Sequence, residues 1–265
     1  VHAYQQITWV GLGYALVLVA IVILVSYVQR LGLEHSIFIG VVRTFAQLYL
    51  IGYVLLFILG TMRWWLVALA LAAMLSVATH NTLALQRVKV RGMVTWVGVC
   101  LLIGSGIPLL LVQNLIVVPT PRWNPQYLLP LAGMLLGNAM VGATLALNRF
   151  VGDLKSRFAE VEASLALGAS PRQACYHLRR EAARAAMLPS VSAMMTVGLV
   201  QLPGMMSGQI IAGLPPTEAV KYQIMVMLML ACAVSVATFL VLESVTYVVF
   251  ARGALADMKL FAAEK

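Results

Sequence analysis

Glu162-Ala163-Ser164-Leu165-Ala166-Leu167-Gly168-Ala169-Ser170-Pro171 sits in the one long polar stretch of an otherwise apolar chain. Its reading is helix, glycine stop, then a newly capped helix. Leu154, Phe158, Val161, Leu165 and Ala169 recur every three or four residues, which predicts a helix over 153–167. Gly168 ends it. Ser170, Pro171 and Gln173 form a Ser-Pro-x-Gln start, a capping box with proline in the first turn. The second helix, about 171–187, is basic through Arg172, Arg179, Arg180 and Arg184. A helix–turn–helix held in water by an apolar chain is a handle for something outside the membrane.

Working outward, 62% of the 265 residues are hydrophobic and 10% are charged. Mean hydropathy is +0.94. Soluble domains are nearer one-quarter charged, so lipid is the main solvent here. The apolar runs are far longer than barrel strands, which leaves an all-α integral membrane protein. A net charge of +9 fits loops beside anionic lipid, and no nucleic acid is expected. Cys100, Cys175 and Cys232 have neither disulfide nor ligand spacing. The first apolar run lacks a small-residue cleavage site and is expected to be a retained span.

A membrane helix takes about 20 apolar residues. Seven transmembrane helices are expected, at about 7–28, 37–59, 64–84, 93–117, 127–147, 187–212 and 221–250. Residues 1–265 then form a single transmembrane domain, with a coupling hairpin at 148–186 inside it. Arg43 aside, fourteen Lys/Arg fall on one side and three (Arg63, Arg122, Lys221) on the other. That bias places the N-terminus outside, with the hairpin and C-terminus cytoplasmic. Trp64, Trp65 and Trp123 then lie at the outer interface, and Pro119, Pro121 and Pro125 stiffen an external turn.

The polar hairpin has two readings: an amphipathic loop lying on the bilayer with arginines on lipid phosphates, or a rigid docking element. The motif Glu162-Ala163-Ser164 … Gly168-Ala169-Ser170-Pro171 resembles the EAA loop of ATP-binding-cassette (ABC) transporter permeases. Ala132–Met140, Leu167–Pro171, Val197–Gln209 and Lys221–Met225 resemble, more specifically, the FetB-type (YbbM-like) permease family. That family includes bacterial iron-export permeases and plant aluminium-tolerance membrane subunits. The resemblance covers about residues 35–245. One departure is that Leu188-Pro189 lies twenty residues beyond Gly168, farther than in importer-type loops. The resemblance implies a homodimer in the bacterial inner membrane, coupled to a cytoplasmic ABC ATPase through Glu162, Ala163, Gly168, Ala169, Ser170 and Pro171. It also implies a transported metal or small-molecule substrate. The chain has no Gly-x-x-x-x-Gly-Lys-[Ser/Thr] loop. It is therefore not expected to be an enzyme or to bind a cofactor, and ATP and Mg would sit on the partner subunit.

Polar groups at bilayer depth cost about 2.5–3.5 kcal/mol or more on insertion scales when charged. Arg43, roughly 10 Å into the second span, has Gln47 one turn further on. Glu243 lies at similar depth in the last span, and an Arg43–Glu243 pair is expected. Gly133 and Gly137 allow close helix approach, and Asn138 beside them needs a partner inside the bundle. Gln201, Pro203, Gly204, Met205, Met206 and Gln209 form the most unusual membrane segment. Pro203 removes a donor and Gly204 loosens the next turn, giving a kink or a re-entrant piece. The methionines suit packing or a pathway wall better than iron, which prefers oxygen or imidazole ligands, and no metal site is assigned. The leading reading is the permease subunit of an ATP-driven exporter of iron or a related metal. The alternative is an ion-coupled secondary transporter with Arg43 and Glu243 as its charge relay.

Overall fold

Apolar runs of this length satisfy their backbone polar groups internally, and the chain is helical throughout its described residues. The computed structural model describes residues 9–30, 32, 34–86 and 92–250. Several cations used above for orientation (Arg87, Lys89, Arg91, Arg252, Lys259 and Lys265) lie outside them.

The chain divides into two compact units, Val1–Arg63 with Ile211–Gly213, and Trp64–Ile210 with Leu214–Lys265. In the first, α1 (Trp9–Val28) packs against α2 (Glu34–Thr61). The buried Ser26 hydroxyl donates to Glu34 Oε1 at 2.8 Å across their junction.

The second unit contains α3 (Trp64–Ala84), α4 (Met93–Leu115), α5 (Pro125–Ser156), α6 (Phe158–Ala166), α7 (Pro171–Ala174), α8 (Tyr176–Thr196), α9 (Gly204–Ile211) and α10 (Pro216–Phe250). Its core is built around α5 and α10. α10 packs on α5, α4 and α8, while α5 also packs on α3 and α8. Small residues bring these helices together. A Cβ on Gly104 of α4 would lie 2.7 Å from the Ala237 Cβ of α10, and one on Gly142 of α5 would lie 2.8 Å from Val234 Cγ1. The expected Gly133/Gly137 pair is only half used. Gly133 faces the end of Met74 on α3, whereas nothing lies within 4 Å of a Cβ on Gly137. Asn138 is exposed and donates to its own helix, at Met134 O (2.9 Å).

Among the described residues five helices are long and apolar enough to cross a membrane: Ile37–Thr61 within α2, α3, α4, α5 and α10; α1 adds a shorter apolar stretch, Leu16–Val28. The expected sixth span, 187–212, is not one helix. α8 starts in the polar hairpin at Tyr176, runs through Pro189 and stops at Thr196. Val197 turns extended, Gly198 takes φ +83°, and the Gly198 N–H donates to Gln201 O at 2.9 Å. That tight turn ends the helix well before Pro203. Pro203 instead precedes α9, its carbonyl accepting from Ser207 N–H at 3.0 Å. A residue without an N–H costs nothing at a helix start, where that donor has no partner anyway. α9, eight residues long, spans about 12 Å and cannot cross a bilayer. α8 and α10 run antiparallel: Arg179 meets Glu243 at one end, and Met194 and Val197 share a cavity with Val220 and Ile224 at the other. α8, its turn and α9 thus return the chain to the start of α10.

Candidate functional site: a hairpin latched to the last helix

The hairpin is built on α5. That helix does not stop near residue 147 but continues to Ser156, so its polar end is rigidly continuous with a core helix. Phe150, Leu154, Val161, Cys175, Leu178, Ala182 and Ala186 bury their side chains between α5, α6 and the start of α8. At the α5–α6 joint, Arg157 takes non-helical angles and donates to Glu160 Oε2 through Nη2 at 2.7 Å and Nε at 3.0 Å. These bonds hold the Glu160 carboxyl below its ordinary range.

The turn is closed at both ends. Gly168 has φ +92°; its N–H donates to Leu165 O, and the Ala169 N–H donates to Ser164 O at 3.1 Å. These are the two bonds of a Schellman stop. On the other side Ser170 Oγ accepts from the Gln173 N–H, and the Gln173 side chain accepts from the Ser170 N–H at 2.9 Å. The capping box read from the sequence is present. Between these fastenings the backbone has little freedom. At the tip Glu162, Ala163, Gly168 and Ser170 are exposed, Ala169 and Pro171 half-buried. Leu167 is 90% exposed, a large apolar side chain that nothing in the hairpin covers.

The base of α7 and α8 is tied to α10. Arg172 donates to Glu243 Oε2 through Nε (3.0 Å) and Nη2 (2.8 Å), and Arg179 Nη2 donates to Glu243 Oε1. The Arg179 and Glu243 side chains are 15% and 23% exposed. Within its own unit Glu243 finds two cations on the hairpin, and both carboxylate oxygens are engaged there. Arg43 and Gln47 are exposed on α2. Arg172 and Arg179 were identifiable as two cations seven residues, or two helical turns, apart. What the sequence lacked was the path that lays them over α10. Cys175 lies in the break between α7 and α8, where burial pushes its thiol up to about 11 against the pull of Arg179. That thiol stays protonated and unreactive at neutral pH. Cys100 Sγ and Ser244 Oγ, 3.3 Å apart, join α4 to α10 one residue from the latch.

At the far end of α10 a cavity of about 400 Å³ lies between α8, the 197–203 turn, α9 and α10, with Met194, Leu202, Met206, Gln223 and Met227 on its walls. Gln223 is 6% exposed, and its Oε1 has no hydrogen-bond partner. The sequence reading missed Gln223. Of the residues it did name here, Met206 lines the cavity, Met205 packs half-buried on the core, Gln209 Oε1 is buried without a partner, and Gln201 and Gly204 are exposed. Pro203 is half-buried. Among the described residues no three His, Cys, Asp or Glu side chains come together as a metal cage.

A family model described as "Uncharacterised protein family (UPF0014)" matches residues 9–250. A UPF0014 membrane protein of Synechocystis sp. is 36% identical over 92% of this chain and 94% of its own. The probable iron export permease protein FetB of Escherichia coli is 37% identical over 89% of this chain and 90% of its own. Protein ALUMINUM SENSITIVE 3 of Arabidopsis thaliana is 38% identical over 84% and 81%. No solved structure matches the chain. With the family model matching residues 9–250 and these relatives aligning over most of their length, this chain belongs to the UPF0014 membrane protein family.

Proposed function

We propose that the chain is the permease subunit of an ATP-driven transporter of iron or a related metal species, powered by a separate ATPase in the cytoplasm, with two copies of the chain forming the pathway. The observation that carries this reading is the hairpin. It is doubly fastened at its turn, leaves Leu167 uncovered for a partner, and is latched at its base to the 35-residue α10.

The mechanism follows from stiffness. Closure of the ATPase pair displaces the hairpin tip. A turn with both ends capped moves as a body, and the Arg172/Arg179–Glu243 latch passes the displacement to α10. α10 has 35 residues, about 52 Å of continuous helix, so motion at the latch reaches the far cavity. The close contacts at Gly104 and Gly142 carry α4 and α5 along. The metal is substrate, passing amide and backbone oxygens such as those of Gln201, Gln209 and Gln223 without a closed cage of ligands. Transient contacts of this kind let an ion leave as well as enter. The name of the Escherichia coli relative, a probable iron export permease, supports the substrate class.

The test is flux in liposomes containing the purified chain with and without the ATPase that co-purifies with it. ATP-dependent efflux of iron only with both subunits is expected. Full flux from the chain by itself would falsify the reading.

A further inference from the structure

A groove of about 840 Å³ lies between the base of the hairpin and α10, on one side of the latch. Its composition changes along its length. At one end are Arg172, Arg179, Arg180 and His177, with Glu243 the one acid; at the other are Ala183, Met187 and Phe239, with the hydroxyls of Ser235 and Thr238 among them. Three guanidiniums facing one carboxylate leave an excess of positive charge. Arg172 and Arg179 direct donors at Glu243, but Arg179 Nε is buried with no acceptor, and Arg180 is exposed. The exposed Arg180 thus gives the groove an accessible cation beyond the two that hold Glu243.

Its level in the molecule identifies what fits. α8 is polar through Arg179, Arg180, Glu181 and Arg184, then turns apolar, with Leu188, Val191, Met194 and Met195 exposed. An exposed run of that kind belongs in hydrocarbon, so the arginines stand at headgroup depth. The apolar end of the groove lies on the hydrocarbon side of them, and Phe239, 58% exposed on α10, forms its open wall. A ligand for this shape carries an anionic phosphate at one end and an acyl chain at the other. We propose that the groove between α8 and α10 is a binding site for one anionic phospholipid, its phosphate on the exposed Arg180 beside the two latch arginines, and an acyl chain along Met187 and Phe239. Arg180 directly follows the latch residue Arg179, so a bound lipid sits beside the latch and bears on how tightly the hairpin is held. The site does not depend on what the protein transports.

The experiment is native mass spectrometry of the full chain, purified from vesicles of equal phosphatidylglycerol and phosphatidylcholine. One phosphatidylglycerol per chain is expected to survive detergent stripping, with about a tenfold preference over phosphatidylcholine. Arg180→Glu removes the preference, and Phe239→Ala weakens retention of both lipids while leaving the headgroup preference. Both positions are exposed, so folding is checked by an unchanged elution profile and melting temperature. Equal retention of the two lipids, or an unchanged preference in Arg180→Glu, overturns the proposal. So does displacement of the lipid by millimolar inorganic phosphate, which would make this a soluble-anion site. Loss of the lipid whenever a second copy or another protein associates would show that a protein surface occupies the groove, and overturns it too.

Discussion

Gly168 is the residue on which the hairpin's rigidity turns. Its φ of +92° is open to glycine and strained for a β-branched side chain. Yet nothing lies within 4 Å of a Cβ built there, so a substitution pays in backbone conformation and not in collision. Gly168→Val is therefore expected to cost about 1–2 kcal/mol locally and leave the buried core of the hairpin in place. Expression and melting temperature stay close to the parent. The Schellman bonds open, the turn becomes soft, and stimulation of the ATPase by the permease falls severalfold. Limited proteolysis at 166–170 and ATPase assays read the two effects separately, and coupling that survives a cleavable turn would count against a rigid lever. This residue was legible from its neighbours: the periodic apolar positions before it and the Ser-Pro-x-Gln after it define a stop and a start with one residue between. Leu167 was not, because a leucine beside a helix end usually folds back on its own helix, and only the structure shows it bare.

Among the elements, α10 and its contacts set the energetics. The latch joins α7 and α8 to α10 through two arginines and one carboxylate. Hydrogen bonds to charged groups contribute about 1.5–3 kcal/mol, more than neutral ones. In a double-mutant cycle, Arg179→Ala and Glu243→Ala are expected to couple by 1 kcal/mol or more in a reversible unfolding assay, whereas Arg43→Ala with Glu243→Ala should be additive within about 0.5 kcal/mol. Strong coupling of the second pair would restore the pairing that depth alone suggested. The packing glycines give a sharper contrast. Gly104→Ala places a methyl 2.7 Å from Ala237 Cβ and within 2.9 Å of its backbone, so α4 and α10 must separate, at about 1–3 kcal/mol. Gly137→Ala meets nothing and gains helix propensity, about 0.5–1 kcal/mol. A thermal shift that ranks these two the other way would overturn the packing described. The Gly-x-x-x-Gly pattern was visible in the sequence and pointed to the weaker pair, since spacing locates glycines on a face but does not say what that face meets. Span limits were misplaced for a related reason. Hydropathy reports where side chains leave water, while backbone hydrogen bonds decide where a helix ends. α5 therefore runs nine residues past its apolar stretch, and α8 passes through Pro189 without a break.

At the largest scale, the polar hairpin and the far cavity are linked among the described residues by the continuous helices α8 and α10. α5 carries the hairpin as its own extension, α10 is tied to it by the latch, and both are packed through small residues that leave no slack at Gly104 and Gly142. Such an assembly favours discrete arrangements over gradual bending, because close-packed interfaces resist deformation. The external contact that selects between arrangements must then act on something the chain leaves uncovered, and Leu167, 90% exposed on the hairpin tip, meets that condition. Replacing it with aspartate removes apolar area from any interface but touches nothing within this chain. Leu167→Asp is expected to leave membrane insertion, melting temperature and anionic-lipid retention unchanged, while ATPase co-purification falls at least tenfold. A buried leucine at a protein interface is worth about 1.5–3 kcal/mol, and 1.4 kcal/mol is a factor of ten in affinity. Leu167→Met, similar in size and apolarity, should retain the partner. If Leu167→Asp co-purifies as the parent does, the partner grips the hairpin elsewhere, and the exposed leucine is left to the bilayer surface, a result that depth-resolved quenching from labelled lipid would then register at the tip.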